Sequence, residues 1–447
     1  MSAATGRLLY RARTVVTCDT EGAQCGASFD GLGRIDDAAI FVEDGRVAAV
    51  GRRGEVEQTI GTGEVEEIDF GDCVVVPGFV DAHAHPLFAG DREPDFAARQ
   101  RGEKPPLGML YTVERTRDAL LDSAAFFAQT VRPRLQTMLA HGTTTLESKT
   151  GYALHKPGEA ALLDLIAAHG DDGDLPRLVP TFLGAHALPP EFTAQEAFVD
   201  YLIDQVVPAA AAHGAVYADA FCEPGFFSPE QTRRYLDAAR LHGMRLRVHC
   251  DEMAYGGAAA MAAQLDVDAV DHCNYITEDD VRAICERGIV TVACPATIVY
   301  LDLPRRAPVR ALLEAGGSVA LASDYNPGTS PCFNLQTVAY FGRKLFGLSA
   351  AEALYGVTRA AAHSLRADAG RIRVGARADF VALQIASPDE FGWQFGGNLA
   401  MAVVRGTLRP STGRFAPAQD DTTGRFAPAQ DDTTGRFAPA QDDTRGR

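Results

Sequence analysis

Over the first ~75 residues apolar and polar side chains alternate, as in Ala39-Ile40-Phe41-Val42 and Arg46-Val47-Ala48-Ala49-Val50, with Asp and Gly turns between the runs. A period of two places successive side chains on opposite faces of an extended chain, so this stretch predicts strands and hairpins. From Pro77 to about Ala362 the pattern changes to short apolar runs separated by Ala- and Leu-rich stretches with helical spacing. That alternation predicts repeated βα units around a parallel sheet.

Eight strand candidates fall at residues 78–83, 143–148, 177–182, 216–222, 245–249, 269–272, 290–294 and 318–323. Eight units in about 285 residues fit a closed (β/α)₈ TIM barrel, an α/β architecture. A doubly wound open sheet is the alternative, but no Gly-x-Gly-x-x-Gly turn follows the first strand to support it. Beyond the barrel, Arg371-Ile-Arg-Val-Gly-Ala-Arg-Ala-Asp-Phe-Val-Ala-Leu reads as strand, turn, strand. We assign it, with the N-terminal segment, to a small β-sandwich domain. The expected organisation is therefore 1–76 and 363–410 as the two parts of that domain, 77–362 as the barrel, and 411–447 as a tail. The tail repeats Thr-Gly-Arg-Phe-Ala-Pro-Ala-Gln-Asp-Asp-Thr three times. Each copy offers one Phe and one Pro among small or polar residues, too little apolar surface to offset ordering entropy, so disorder is expected there.

Composition narrows the class. Apolar residues are 46% and charged residues 23%, the balance of a globular enzyme. A net charge of −17 without any basic stripe argues against nucleic-acid binding, because phosphate recognition needs clustered Lys and Arg. Neither a secretory leader nor an apolar run of ~18 residues is present, so a cytoplasmic, non-membrane protein is expected. Nine cysteines scattered without a Cys-x-x-Cys pair read as buried thiols.

The chemistry concentrates at strand ends. In Pro77-Gly78-Phe79-Val80-Asp81-Ala82-His83-Ala84-His85, positions i and i+2 share a strand face, so His83 and His85 point the same way and suit one metal ion. His249, His272 and Asp324 each close another apolar run. A single strand-end His is ordinarily a hydrogen-bonded core residue. The set at strands one, five, six and eight is the pattern of barrel catalytic sites, which draw on the C-terminal ends of several strands. Cys250 and Cys273 adjoin His249 and His272, but alternation turns their side chains to the helix layer, where they read as packing thiols.

These residues resemble the amidohydrolase superfamily. Phe88-Ala-Gly-Asp-Arg92-Glu, His141-Gly-Thr-Thr-Thr, Lys149-Thr-Gly-Tyr152, Pro180-Thr-Phe-Leu-Gly-Ala-His186, Phe221-Cys-Glu223, His249-Cys-Asp-Glu252 and Asp324-Tyr-Asn-Pro-Gly-Thr-Ser330 are similar, within it, to the imidazolonepropionase family. The resemblance implies one Zn²⁺ or Fe²⁺/Fe³⁺ ion per chain held by His83, His85, His249 and Asp324. Lys149 lies on strand two rather than on strand four, where two-metal members carry a bridging Lys, so one metal is expected. Glu252, otherwise readable as a helix-start acid, becomes the proton-transfer residue, and His272 and Asp324 act beside it. Arg92, Tyr152, His186, Glu252, Asn326, Gly328 and Thr329 become substrate contacts. The family carries a longer stretch, with a substrate-contacting Tyr, where this chain has only residues 102–111; Tyr111 is the candidate replacement.

The implied activity is hydrolysis of a cyclic amide C–N bond, converting 4-imidazolone-5-propanoate to N-formimidoyl-L-glutamate in histidine degradation. The alternatives are an amidohydrolase or deaminase acting on another small nitrogen heterocycle in a biosynthetic route, and a non-catalytic barrel. The partners expected are a small-molecule substrate and a second copy, in a homodimer.

Overall fold

In the computed structural model residues 6–19 and 28–410 are described; the repeat tail expected at 411–447 lies outside them. The two terminal segments share one mixed sheet of eight strands. Its order is Thr407–Pro410, Ala400–Arg405, Asp379–Leu383, Val74–Pro77, Arg7–Val16, Arg34–Glu43 and Arg46–Arg52, with Glu66–Asp69 also paired to Arg7–Val16. The halves meet where Val76 pairs antiparallel with Val381. The alternation along these strands sorts Tyr10, Ile40, Val42 and Phe380 into one apolar cluster and Leu9, Ala39 and Phe41 into another, which Val56 of the helix Arg53–Thr59 covers.

The barrel strands are Phe79–Asp81, Thr143–Lys149, Arg177–Ala185, Tyr217–Cys222, Arg245–Cys250, Ala269–His272, Val290–Ala293 and Val319–Leu321, all parallel and paired in chain order. All eight expected strands are present. The first and last are shorter than expected because their ends leave the ladder. Val80 donates its N–H to Val357 O instead of to a strand, and closure comes later, where Asp324 N–H donates to His83 O (2.9 Å) and His85 N–H to Tyr325 O (2.9 Å).

Apolar packing fills the lower interior: Val290, Val292, Ala320 and Ala322 meet Ala360, Ala361 and Ala362 of the helix Arg359–Ser364. His83, His85, His249, His272 and Asp324 stand at the upper, C-terminal ends of the strands. Four non-glycine residues there, Asp251, His272, Cys273 and Asp324, hold φ between 48° and 69°. Such backbone costs of order 1–3 kcal/mol per residue and persists where surrounding packing enforces it. The eight described cysteines are free thiols, and no described helix is long and apolar enough to cross a membrane.

Candidate active site

His83 and His85 sit just past the first strand, as the i, i+2 spacing requires, and their Nε2 atoms lie 3.3 Å apart. Asp324 Oδ1 is 3.4 Å from each of them. A ligand atom of His249 falls within 4.8 Å of those of both histidines. All four side chains are buried. His83 Nδ1–H donates to Asp271 Oδ2 (2.8 Å), which leaves Nε2 as a lone pair. His249 Nδ1 stands 3.0 Å from Asp219 Oδ2. Three imidazoles and a carboxylate thus bring their ligand-type atoms together at one point, a donor set that a cation would satisfy. Burial and Lys149 push the His83 imidazole down, yet Asp271 and Asp324 outweigh them and lift it to about 9, so the corner favours positive charge. These residues fit a metal ion.

Beneath the ligands lies a layer of charge that apolar alternation along the strands does not reveal. Lys149 Nζ contacts Asp219 Oδ2 (2.6 Å), Glu147 Oε2 (2.9 Å) and Asp271 Oδ2 (3.5 Å), and Arg247 pairs with Asp271 Oδ1 (2.9 Å) and Glu147 Oε1 (3.1 Å). All five side chains are completely buried. Burial disfavours the Lys149 ammonium, but Asp219, Glu147 and Asp271 outweigh it and raise its pKa. A lysine kept charged in this way is committed to its ion pairs. Asp219 and Asp271, missed in sequence, had one available signal: each is a carboxylate in mid-strand, in Tyr-Ala-Asp-Ala-Phe and Ala-Val-Asp-His.

Above the ligands opens a cavity of about 220 Å³, lined by His85, His249 and Asp324 and by Glu252, His272, Arg92, Tyr152, His186, Asn326 and Thr329. The expected site residues are therefore brought together with two exceptions. Gly328 does not line the cavity but lies under Arg92, where an added Cβ would fall inside the guanidinium. Tyr111 is also absent from the lining; it packs on Gly90 and beneath Arg115, and Met109, two residues earlier on the other side of the helix, takes the wall instead. The reason is local. The helix Gly108–Ala119 starts at once after Pro105-Pro106-Leu107, and its first turn brings Met109 rather than Tyr111 to the cavity side. Phe221, Phe226 and Met253 complete an apolar wall that sequence reasoning did not find.

Glu252 follows His249 in a non-helical turn, so the helix-start reading does not hold. Its backbone N–H, with those of Met253 and Ala254, donates to the Glu223 carboxylate (2.8, 2.9 and 2.7 Å), which fixes the turn. Burial and the Asp324 charge raise the Glu252 carboxyl to about 7, the range in which a side chain both takes and returns a proton near neutral pH. His272 Nε2 stands 3.8 Å from Glu252 Oε2, and burial lowers the His272 imidazole to about 3, keeping it neutral. His186 Nδ1–H donates to Gly151 O (2.9 Å), and burial lowers this imidazole too to about 3, so its Nε2 is a hydrogen-bond acceptor. Asn326 donates to Asp324 Oδ1 (3.0 Å) while its own Oδ1 accepts from the N–H of Gly328 and Thr329 (2.8 Å each), tying the ligand to the loop beyond it. Thr297 Oγ1–H holds Asp324 Oδ2 at 2.7 Å. Cys294, also unforeseen, brings its thiol within 4.8 Å of His83 and His272.

Residues 74–409 match the model of the amidohydrolase family. The chain belongs to that family. It is 36% identical to an imidazolonepropionase of Sphingopyxis alaskensis over 381 residues, 83% of this chain and 92% of that one. It is 39% identical to an imidazolonepropionase of Rubrobacter xylanophilus over 384 residues, 83% and 91% of the two chains. Among solved structures, an adenosine deaminase from Xanthomonas campestris with bound zinc superposes with a TM-score of 0.65 at 18% identity, covering 92% of this chain and 94% of that one. That likeness establishes the shared fold. Membership of the family makes this chain a hydrolase, and its site is suited to a metal ion.

Proposed function

We propose that this hydrolase opens 4-imidazolone-5-propanoate with water to N-formimidoyl-L-glutamate, a step of histidine degradation, using one Zn or Fe ion. The observation that carries the reading is the meeting, in one cavity, of a four-residue metal corner, a carboxyl poised near neutrality and a buried guanidinium. Similarity to imidazolonepropionases over most of both chains supports the substrate. A divalent ion on His83, His85, His249 and Asp324 would supply Lewis acidity and hydroxide near neutral pH.

The chain's own residues account for the remaining steps. Arg92, held by Asp95 through Nε, keeps its outer nitrogens for the propionate carboxylate. His186 Nε2 accepts from a ring N–H, and Tyr152, stacked obliquely against His186, flanks the ring. Glu252 takes a proton from the attacking water as its oxygen bonds to the ring carbonyl carbon. It returns that proton to the ring nitrogen as the C–N bond breaks, so the two hydrogens of water end on product. His272, neutral and without a hydrogen-bond partner on either ring nitrogen, is free to orient the water. The same reading makes the enzyme a cytoplasmic homodimer.

The direct test is loss of the ultraviolet absorbance of freshly generated imidazolone propionate on mixing with the metal-loaded enzyme. Metal-replete protein that leaves this compound intact but turns over another cyclic amide or amidine would move the reading to that heterocycle.

A further inference from the structure

Asp95 is completely buried in the helix Glu93–Gln100, three residues beyond Arg92, and no metal ligand or proton-transfer residue touches it. Its two oxygens accept from three donors. Oδ2 takes Arg92 Nε–H (2.7 Å) and Gly108 N–H (3.0 Å), and Oδ1 takes Leu107 N–H (2.8 Å). Leu107 and Gly108 lead directly into Met109, which forms the cavity wall. One carboxylate therefore grips both the guanidinium and the backbone of the opposing wall. The slot is built from the other side as well. Arg99, two turns along the same helix, donates to Gly328 O (2.9 Å), and Gly328 leaves the space that the Arg92 guanidinium occupies.

We propose that Asp95 is a positioning residue that locks Arg92 and the 107–109 segment into one carboxylate-recognition unit, so that substrate affinity depends on both together. The inference rests on the reading of Arg92 as the carboxylate partner. Asparagine at position 95 offers one acceptor oxygen and an NH₂. Either way round, the NH₂ faces a donor, the Arg92 Nε–H or the Leu107 N–H, so the unit cannot stay intact.

The test is a double-mutant cycle of Asp95→Asn and Arg92→Ala, with KM and kcat measured separately on protein of verified metal content and far-UV circular dichroism. Asp95→Asn is expected to raise KM about tenfold, equivalent to about 1.4 kcal/mol, with kcat changed less than about threefold. In the Arg92→Ala background the same change is expected to alter KM by less than about threefold, because the group it positions is gone. An unchanged KM in Asp95→Asn, or a full tenfold effect that persists without Arg92, overturns the proposal. An unchanged KM in Arg92→Ala instead sinks the carboxylate reading beneath it. If Asp95→Asn fails to fold, Leu107→Pro removes one donor and leaves the Asp95, Arg92 and Met109 side chains in place. A KM raised about threefold with kcat retained supports the unit, and an unchanged KM counts against it.

Discussion

The candidate metal corner and the proposed acid-binding slot are built on opposite principles. The corner stands on strand ends, with His83 and His249 backed by Asp271 and Asp219, carboxylates themselves pinned by Arg247 and Lys149 in a fully buried layer. The slot stands on a helix start and a short loop, with Asp95 as its one fully buried charged member. A centre that holds a cation against proton competition gains from rigid, closely backed ligands. A slot that admits and releases a small acid is better placed on segments that can vary in length, which is where this chain is short.

The contrast breaks most sharply at the metal ligands. His249→Ala is expected to strip both metal and activity, while Glu252→Gln keeps the metal and loses about 10²–10⁴-fold in kcat, since proton transfer alone is removed. Metal analysis on both proteins decides it, and equal metal loss would mean that Glu252 has been misassigned. Next is the layer beneath. Lys149→Met strips Asp219 of its lysine partner and leaves Asp271 to Arg247, and breaking a buried pair in this way costs about 3–5 kcal/mol, so the melting temperature should fall steeply and metal affinity drop about 10- to 100-fold. A melting temperature at the parental value would show that the layer is not needed.

On the slot side, Arg92→Ala should lower kcat/KM about 10- to 100-fold, from the ~1.5–3 kcal/mol of a hydrogen bond to a charged group, and Arg92→Lys should recover only part of it. Parental activity in Arg92→Ala would remove the carboxylate assignment. The pH profile gives a gentler effect. Glu252 must be ionised to take a proton, and burial with the Asp324 charge raises its carboxyl to about 7. Activity is therefore expected to fall about tenfold per unit on the acid side of a limb at or below this value, since a bound cation pulls it down. A profile without an acid limb down to about pH 4, the ordinary range of a Glu carboxyl, would exclude Glu252 as the base. The smallest effect expected is that of Tyr111→Phe, less than about twofold in kcat/KM, because its ring lies under Arg115 and the residue does not line the cavity.

The His-x-His pair, the eight strands and the polar strand ends could be read from the chain alone because each depends on local periodicity: a strand sends i and i+2 to one face whatever surrounds it. Glu252 and Arg92 were legible by motif. Tyr111 was misplaced because a helix start a few residues earlier selects which residue of the first turn faces inward, and short-loop geometry is not encoded by period. Asp219, Asp271, Glu147, Lys149 and Arg247 come from strands two, four, five and six, and their pairing exists only once the barrel closes. The same holds for Asp95 and the 107–109 backbone, which meet across a loop. By itself the sequence determined the barrel, its terminal strands and the polar groups at the strand ends, since these follow from alternation and from residue type. Only the tertiary structure decided which buried charges neutralise one another and which side chain walls the pocket, because Coulomb pairing and packing act through space between residues that the chain keeps far apart.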